Sequence, residues 1–350
     1  MNTVPETLLG LVSQYSPSGK EDSAVAYLLE RMQSLGFNRV FQDAVGNAIG
    51  IIGKGPRQII LLGHIDTVPG EIPVQVKDGM LYARGSVDAK GPLAVFTDAA
   101  SIAGEHEGWQ IIVIGAVGEE TDSRGAWHLL DQYCPEMLVI GEPSAWNRIT
   151  LGYKGCAQTE ITTRCNASHS ANSEDTACEV GLKIWQKILE WTANNNAGCK
   201  RRFDQLQNHL LSWRSGNDGF EDWATFRIET RLPLSLSPDT WMMNLQELAG
   251  ENNVQFIGRP IQAFRGEKNS SLVRSFLKAI RKEGGRPGFV VKTGTADMNI
   301  VAPAWQCPAV AYGPGDSSLD HTPNEHLSLD EYVKAVDVLT TMLVDQTSKP

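Results

Sequence analysis

The sequence predicts an α/β fold with a mixed sheet, interrupted by a smaller α+β insertion. Three observations carry this. Short apolar runs bounded by breakers alternate with stretches of helical spacing, successive runs end in loops bearing His or acidic residues, and residues 156–263 hold a separate β-α-β-β-α-β order. The 350-residue length also exceeds that of the commonest single domains, which favours two. The domains expected are 1–155 with 264–350, and 156–263.

Residues 6–36 read as a helix pair. Leu8, Leu9, Leu11 and Val12 precede the breaker Ser16-Pro17-Ser18-Gly19, and Ala24, Val25, Leu28, Leu29 and Met32 follow at helical spacing. Strands are expected around Val40-Phe41, at 48–52 and at 58–62, with a hairpin over 74–82 because Asp78-Gly79 is a strong turn signal. A helix over 93–102 and strands at 110–117 and 137–140 complete the first part. The insertion reads as strand 157–164, helix 173–192, strands 207–213 and 222–230, helix 238–249 and strand 253–257, an order that fits a ferredoxin-like unit. Helix 270–283, a strand near 309–312 and a closing helix from Leu329 follow.

Composition narrows the function. Hydrophobic residues at 41% and charged residues at 21% describe a globular chain, and a net charge of -10 argues against a nucleic acid as main partner. No basic leader or bilayer-length apolar stretch is apparent, which predicts a cytoplasmic protein. Cys134, Cys156, Cys165, Cys178, Cys199 and Cys307 lack metal-type spacing and read as free thiols. No G-x-G-x-x-G follows an expected strand, which counts against a dinucleotide-dependent oxidoreductase.

In Gly63-His64-Ile65-Asp66-Thr67-Val68-Pro69, a histidine leaves a buried strand with a carboxylate two residues on. Alone, this pairing is more simply read as a polar turn before proline. Partners come from Arg84-Gly85-Ser86-Val87-Asp88-Ala89-Lys90-Gly91, Gly118-Glu119-Glu120, Gly141-Glu142-Pro143-Ser144 and His321-Thr322-Pro323-Asn324-Glu325. His64, Asp88, Glu120, Glu142 and His321 suit a site for zinc-like ions, where a shared carboxylate can bridge two metals. Glu119 is the candidate general base. A regulatory protein that kept the fold and lost the chemistry would be favoured by a missing base or bridge, and both residues are present.

Together these motifs resemble the M20 metallopeptidase family of two-zinc amidohydrolases, over nearly the whole chain. The resemblance implies two Zn2+ per subunit, with Co2+ as an alternative. It implies that Asp88 bridges them, that His64 and Glu142 complete one site and Glu120 and His321 the other, that Glu119 is the base and that Asp66 orients His64. It also implies that the inserted domain is a lid and dimerisation module of a homodimer, with His169 reaching the partner's site to stabilise an oxyanion. Cys165-Asn166-Ala167-Ser168 precedes that histidine where relatives carry glycines, so an ordinary loop histidine is the alternative.

Arg231 resembles the lid arginine that holds a substrate carboxylate, with a salt bridge inside the lid as its alternative. Gly294 and Thr295 resemble the substrate-carboxylate loop, and Arg124 is a further candidate. Ser123-Arg124-Gly125-Ala126, Lys292-Thr293-Gly294-Thr295-Ala296-Asp297-Met298-Asn299 and Tyr312-Gly313-Pro314-Gly315 are most similar to the branch of [LysW]-lysine/ornithine hydrolases. That branch implies release of lysine or ornithine from the γ-glutamyl amide of a small acidic amino-group carrier protein. Deacetylation of N-acetyl-lysine or N-acetylornithine is the alternative, with an M20 dipeptidase or carboxypeptidase behind it. Lys200-Arg201-Arg202 reads as a solvated charge run, with docking of an acidic carrier as its functional alternative.

Overall fold

The computed structural model describes residues 4–167, 169 and 173–348. The chain divides into two compact units, one of Met1–Gly152, Gly266–Val291 and Ala296–Pro350, the other of Tyr153–Arg265 and Lys292–Thr295. In chain order the elements begin with helices α1 (Glu6–Val12) and α2 (Asp22–Ser34) and strands β1 (Arg39–Gln42), β2 (Ala48–Ile52), β3 (Arg57–His64), β4 (Gln75–Lys77) and β5 (Met80–Tyr82). Next come α3 (Lys90–Ala103), β6 (Trp109–Ala116), α4 (Arg124–Leu129), β7 (Met137–Gly141) and β8 (Arg148–Tyr153). The second unit carries β9 (Gly155–Asn166), α5 (Ala177–Asn195), β10 (Gln207–Asn217), β11 (Glu221–Leu232), α6 (Pro238–Ala249), β12 (Asn253–Ile261) and β13 (Phe264–Arg265). Then follow α7 (Ser271–Lys282), β14 (Gly288–Lys292), α8 (Met298–Trp305), β15 (Ala309–Tyr312), β16 (His326–Ser328) and α9 (Leu329–Thr347).

In the first unit the sheet runs β1-β2-β6-β3-β7-β15-β8. Its middle strands β6, β3, β7 and β15 are mutually parallel, while β1, β2 and β8 pair antiparallel, so the sheet is mixed. Parallel strands covered on both faces read as unbroken apolar runs, and Ile59-Ile60-Leu61-Leu62 is buried throughout. Helix α3 packs against β3, β6 and β7 as well as α1 and α9, which explains why Leu93 to Phe96 are apolar without interruption. The predicted hairpin forms as β4 and β5. Asp78 and Gly79 have φ of 51° and 76°, as expected for an Asp-Gly turn matched to strand twist.

The second unit is an antiparallel sheet ordered β10-β11-β9-β12, with α5 and α6 packed on it around Ile161, Ile188, Phe226, Ile228 and Trp241. Helix α5 begins at Ala177 rather than at 173. Thr176 and Glu179 form a capping box that fixes the start. Strand β10 continues beyond 213 to Asn217, past a register shift between Leu210 and Ser212. Strands β8 and β14 and helices α4 and α8 are additions to the expected elements. Helix α4 has six residues and α8 contains Pro303, so neither carries a long period. All six cysteines are free thiols. Among the described residues no helix is long and apolar enough to cross a membrane.

Candidate metal centre

Four neighbouring parallel strands deliver side chains to one edge of the sheet. His64 ends β3, Glu119 and Glu120 follow β6, Glu142 follows β7, and His321 lies in the loop after β15. Loops beyond the C-terminal ends of parallel strands are where α/β sheets place their ligands. Asp88 arrives separately, on the loop between β5 and α3. Gly118 turns the chain out of β6 with φ of 76°, and His321 itself adopts φ of 61°, uncommon for a residue with a side chain.

The carboxylate of Asp88 lies between two imidazoles. Its Oδ1 is 3.2 Å from His64 Nε2 and its Oδ2 is 3.0 Å from His321 Nε2. Glu120 Oε1 lies 3.1 Å from His321 Nε2, and Glu142 Oε1 lies 3.9 Å from His64 Nε2. Ligand atoms of His64, Asp88 and Glu120 all fall within 4.8 Å of one another. Donors about 2.0–2.2 Å from a tetrahedral ion stand roughly 3.3–3.6 Å apart, so this N/O set fits a zinc-like cation.

Two features of Asp66 organise the cluster. Its backbone carbonyl is 3.0 Å from His64 Nδ1, and its carboxylate is farther, with Oδ1 at 3.6 Å. A proton on Nδ1 therefore donates mainly to the carbonyl, which leaves Nε2 as the atom facing Asp88 and Glu142. The carboxylate accepts from the backbone N–H of Glu119 at 3.1 Å, that of Glu120 at 3.2 Å and the Ser18 hydroxyl at 2.6 Å. Asp66 thus orients the ring with its main chain and the Glu119-Glu120 turn with its side chain.

The electrostatics favour bound cations. Burial opposes protonation of His64, but Asp66, Asp88 and Glu119 outweigh it and raise its pKa well above the ordinary value. His321 is pushed up to about 10, chiefly by its contacts with Asp88 and Glu120. Asp88 is held well below the usual carboxylate range because its contacts with His321 and His64 outweigh burial. Glu119 goes the other way. Burial raises its pKa well above normal, and the neighbouring charges of Asp297, Glu142 and Glu120 add to this against His64.

Arg124 belongs to the same unit as the cluster and has a partner of its own. Arg124 Nη2 contacts Glu21 Oε1 at 2.8 Å. In the second unit Arg231 pairs with Glu229 at 3.0 Å and donates to Thr295 Oγ1 at 3.1 Å, an internal salt bridge of the kind kept as its alternative. Gly294 has no neighbouring atom near the position of a Cβ. His169 is exposed, while Ser168 of its motif lies outside the described residues. His106 and His128 keep local roles, the first beside the Ala103 carbonyl at 3.1 Å and the second 3.9 Å from Asp43. Arg201 pairs with Asp204.

Sequence reasoning assigned no role to three buried residues near the cluster. Asp297 is 3% exposed, and among the described residues its Oδ1 has no hydrogen-bond partner. Lys90 and Glu325 are both fully enclosed. A charged side chain inside an otherwise apolar or loop motif was the available signal, since such groups are buried only with partners.

Comparison with known proteins places the chain in a family. The pattern of peptidase family M20/M25/M40 matches residues 60–345, and the chain belongs to that family. It is 41% identical over 347 residues to the [LysW]-lysine hydrolase of Deinococcus radiodurans, covering 97% of this chain and 95% of that protein. It is also 41% identical over 339 residues to a putative [LysW]-lysine/[LysW]-ornithine hydrolase of Thermococcus kodakarensis, covering 97% and 90%. Among solved structures, aminopeptidase PepT of Bacillus cereus superimposes with a TM-score of 0.80 at 19% identity, over 98% of this chain and 97% of that one.

Proposed function

We propose that the chain is a metal-dependent amide hydrolase that releases lysine or ornithine from the γ-glutamyl amide of an amino-group carrier protein. The observation that carries the chemistry is Asp88, buried between His64 and His321 with one oxygen toward each. The names of the two relatives at 41% identity support the substrate. In this reading two Zn2+ ions are held, one by His64, Asp88 and Glu142 and the other by Asp88, Glu120 and His321, with Co2+ as an alternative. Bound there, such ions polarise the scissile carbonyl and acidify water.

The remaining steps belong to side chains. Glu119 takes a proton from the attacking water and returns it to the leaving amine nitrogen. Asp66 fixes the turn that presents Glu119. The second unit, with its four antiparallel strands and two helices, is read as a ferredoxin-like lid and dimerisation domain of a cytoplasmic homodimer. There His169 would stabilise the oxyanion in the partner's site, and Arg231, Gly294, Thr295 and Arg124 would contact substrate.

The test is a side-by-side assay of a carrier-protein γ-glutamyl-lysine conjugate, N-acetyl-lysine and N-acetylornithine. The conjugate is expected to have a kcat/KM at least about tenfold higher, since remote contacts contribute to transition-state binding. A chelator should abolish turnover and Zn2+ or Co2+ restore it. Cleavage of only the acetylated compounds would replace this reading with deacetylation, and no cleavage of any would end it.

A further inference from the structure

Glu325 has no exposed surface, and its carboxylate gathers four donors from the loop that carries Asp88. Oε2 accepts from Arg84 Nη1 at 2.9 Å and from the Gly85 N–H at 3.1 Å. Oε1 accepts from the Val87 N–H at 2.8 Å and from the Asp88 N–H at 3.0 Å. Glu325 stands four residues after His321, whose ring is 3.0 Å from Asp88 Oδ2. The segment from His321 to Glu325 therefore holds Asp88 twice, by its side chain and by its backbone.

Asp66, two residues after His64, repeats the arrangement by accepting the N–H groups of Glu119 and Glu120. Lys90 follows Asp88 by two residues. It is fully buried, its Nζ donates to the Gln14 carbonyl, and Asp66 and Glu325 are the anions that act on it. Its stem also fills the space beside Gly85, where φ is 81° and an added Cβ would meet Thr67 Cγ2 at 2.9 Å.

We propose that Glu325 is a positioning residue that sets the separation of Asp88 and His321, and with it the spacing the ligand set offers to a pair of ions. The inference rests on the metal reading above. A neutral amide cannot replace the carboxylate. With four donors converging on two oxygens, the NH2 of glutamine would face either Arg84 and Gly85 or Val87 and Asp88, donor against donor.

The experiment uses full-length Glu325→Gln and Glu325→Asp, stripped of metal and titrated with Zn2+ or Co2+. Ions bound per chain, Kd, the visible spectrum of the cobalt form and steady-state kinetics are read. In Glu325→Gln at least one ion should bind about 10–100-fold more weakly, as expected for loss of an outer-shell partner. The cobalt spectrum should change and kcat should fall more than KM rises. Glu325→Asp, which keeps the charge, should recover part of each. Wild-type protein that binds no metal would defeat the metal reading itself. Wild type and Glu325→Gln that bind two ions with equal affinity and identical cobalt spectra would overturn the role of Glu325. If Glu325→Gln does not fold, Arg84→Gln removes one donor of the four. A weakening of about threefold or more is then expected, and unchanged binding would overturn the proposal.

Discussion

The backbone N–H of Glu119 donates to Asp66 Oδ1 at 3.1 Å, so the residue behind His64 also holds the turn that carries the proposed base. Asp66→Asn would set an amide N–H against one of the donors its oxygens now accept, and it would remove a charge next to His64. A fall in kcat/KM of about 10–100-fold is expected from loss of a group that orients a ligand. Denaturant unfolding should show a loss of about 1–3 kcal/mol for the unpaired donor. Kinetics and stability both indistinguishable from wild type would refute the dual role.

Glu119→Gln separates proton transfer from metal binding. Its carboxylate interacts electrostatically with His64, Asp297, Glu142 and Glu120, whereas the close carboxylate contacts of the ring Nε2 atoms are with Asp88, Glu120 and Glu142. The variant is expected to retain its ions by elemental analysis and to lose about 10²–10⁴ in kcat. Turnover near the wild-type rate would remove Glu119 from the mechanism.

Asp297 gives the metal-free protein a pH dependence. Burial, with the charge of Asp66, pushes its carboxyl up to about 7 against His64 and Ser123. In the unfolded chain an aspartate ionises near 3.9, so between about 4 and 7 the folded state keeps a proton that the unfolded state has released. Stability then falls as pH rises across that window, with a slope approaching about 1.4 kcal/mol per pH unit for this one group. Asp297→Asn should flatten the decline in urea unfolding of stripped protein. A decline unchanged by the substitution would assign it to other groups.

The parallel strands were legible because strands buried on both faces cannot alternate, and Ile59 to Leu62 and Ile111 to Ile114 show it. His64, Glu119, Glu120 and Glu142 were legible because each stands just beyond the end of such a run, and Asp88 and His321 because their loops carry recognisable motifs. What escaped was of two kinds. Short elements such as α4 and β14 owe their shape to packing and carry no period of their own. Partnerships such as Glu325 with Arg84 join residues 241 apart in the chain, so nothing local to either records them. The orientation of His64 by the Asp66 carbonyl was hidden for a related reason, since every residue type has a main-chain oxygen.

The chain crosses from one unit to the other four times, and the last excursion is only Lys292–Thr295. This short return is stitched in: Lys154 N–H donates to the Lys292 carbonyl at 3.2 Å, and Thr295 Oγ1 donates to the Lys154 carbonyl at 3.1 Å while accepting from Arg231. The smaller unit is consequently not a detachable cassette. A clone spanning residues 153–265 would leave out a strip of its fabric, and a deletion of the same span would strand that strip in the remainder. Any transplant of this module between relatives has to carry both pieces.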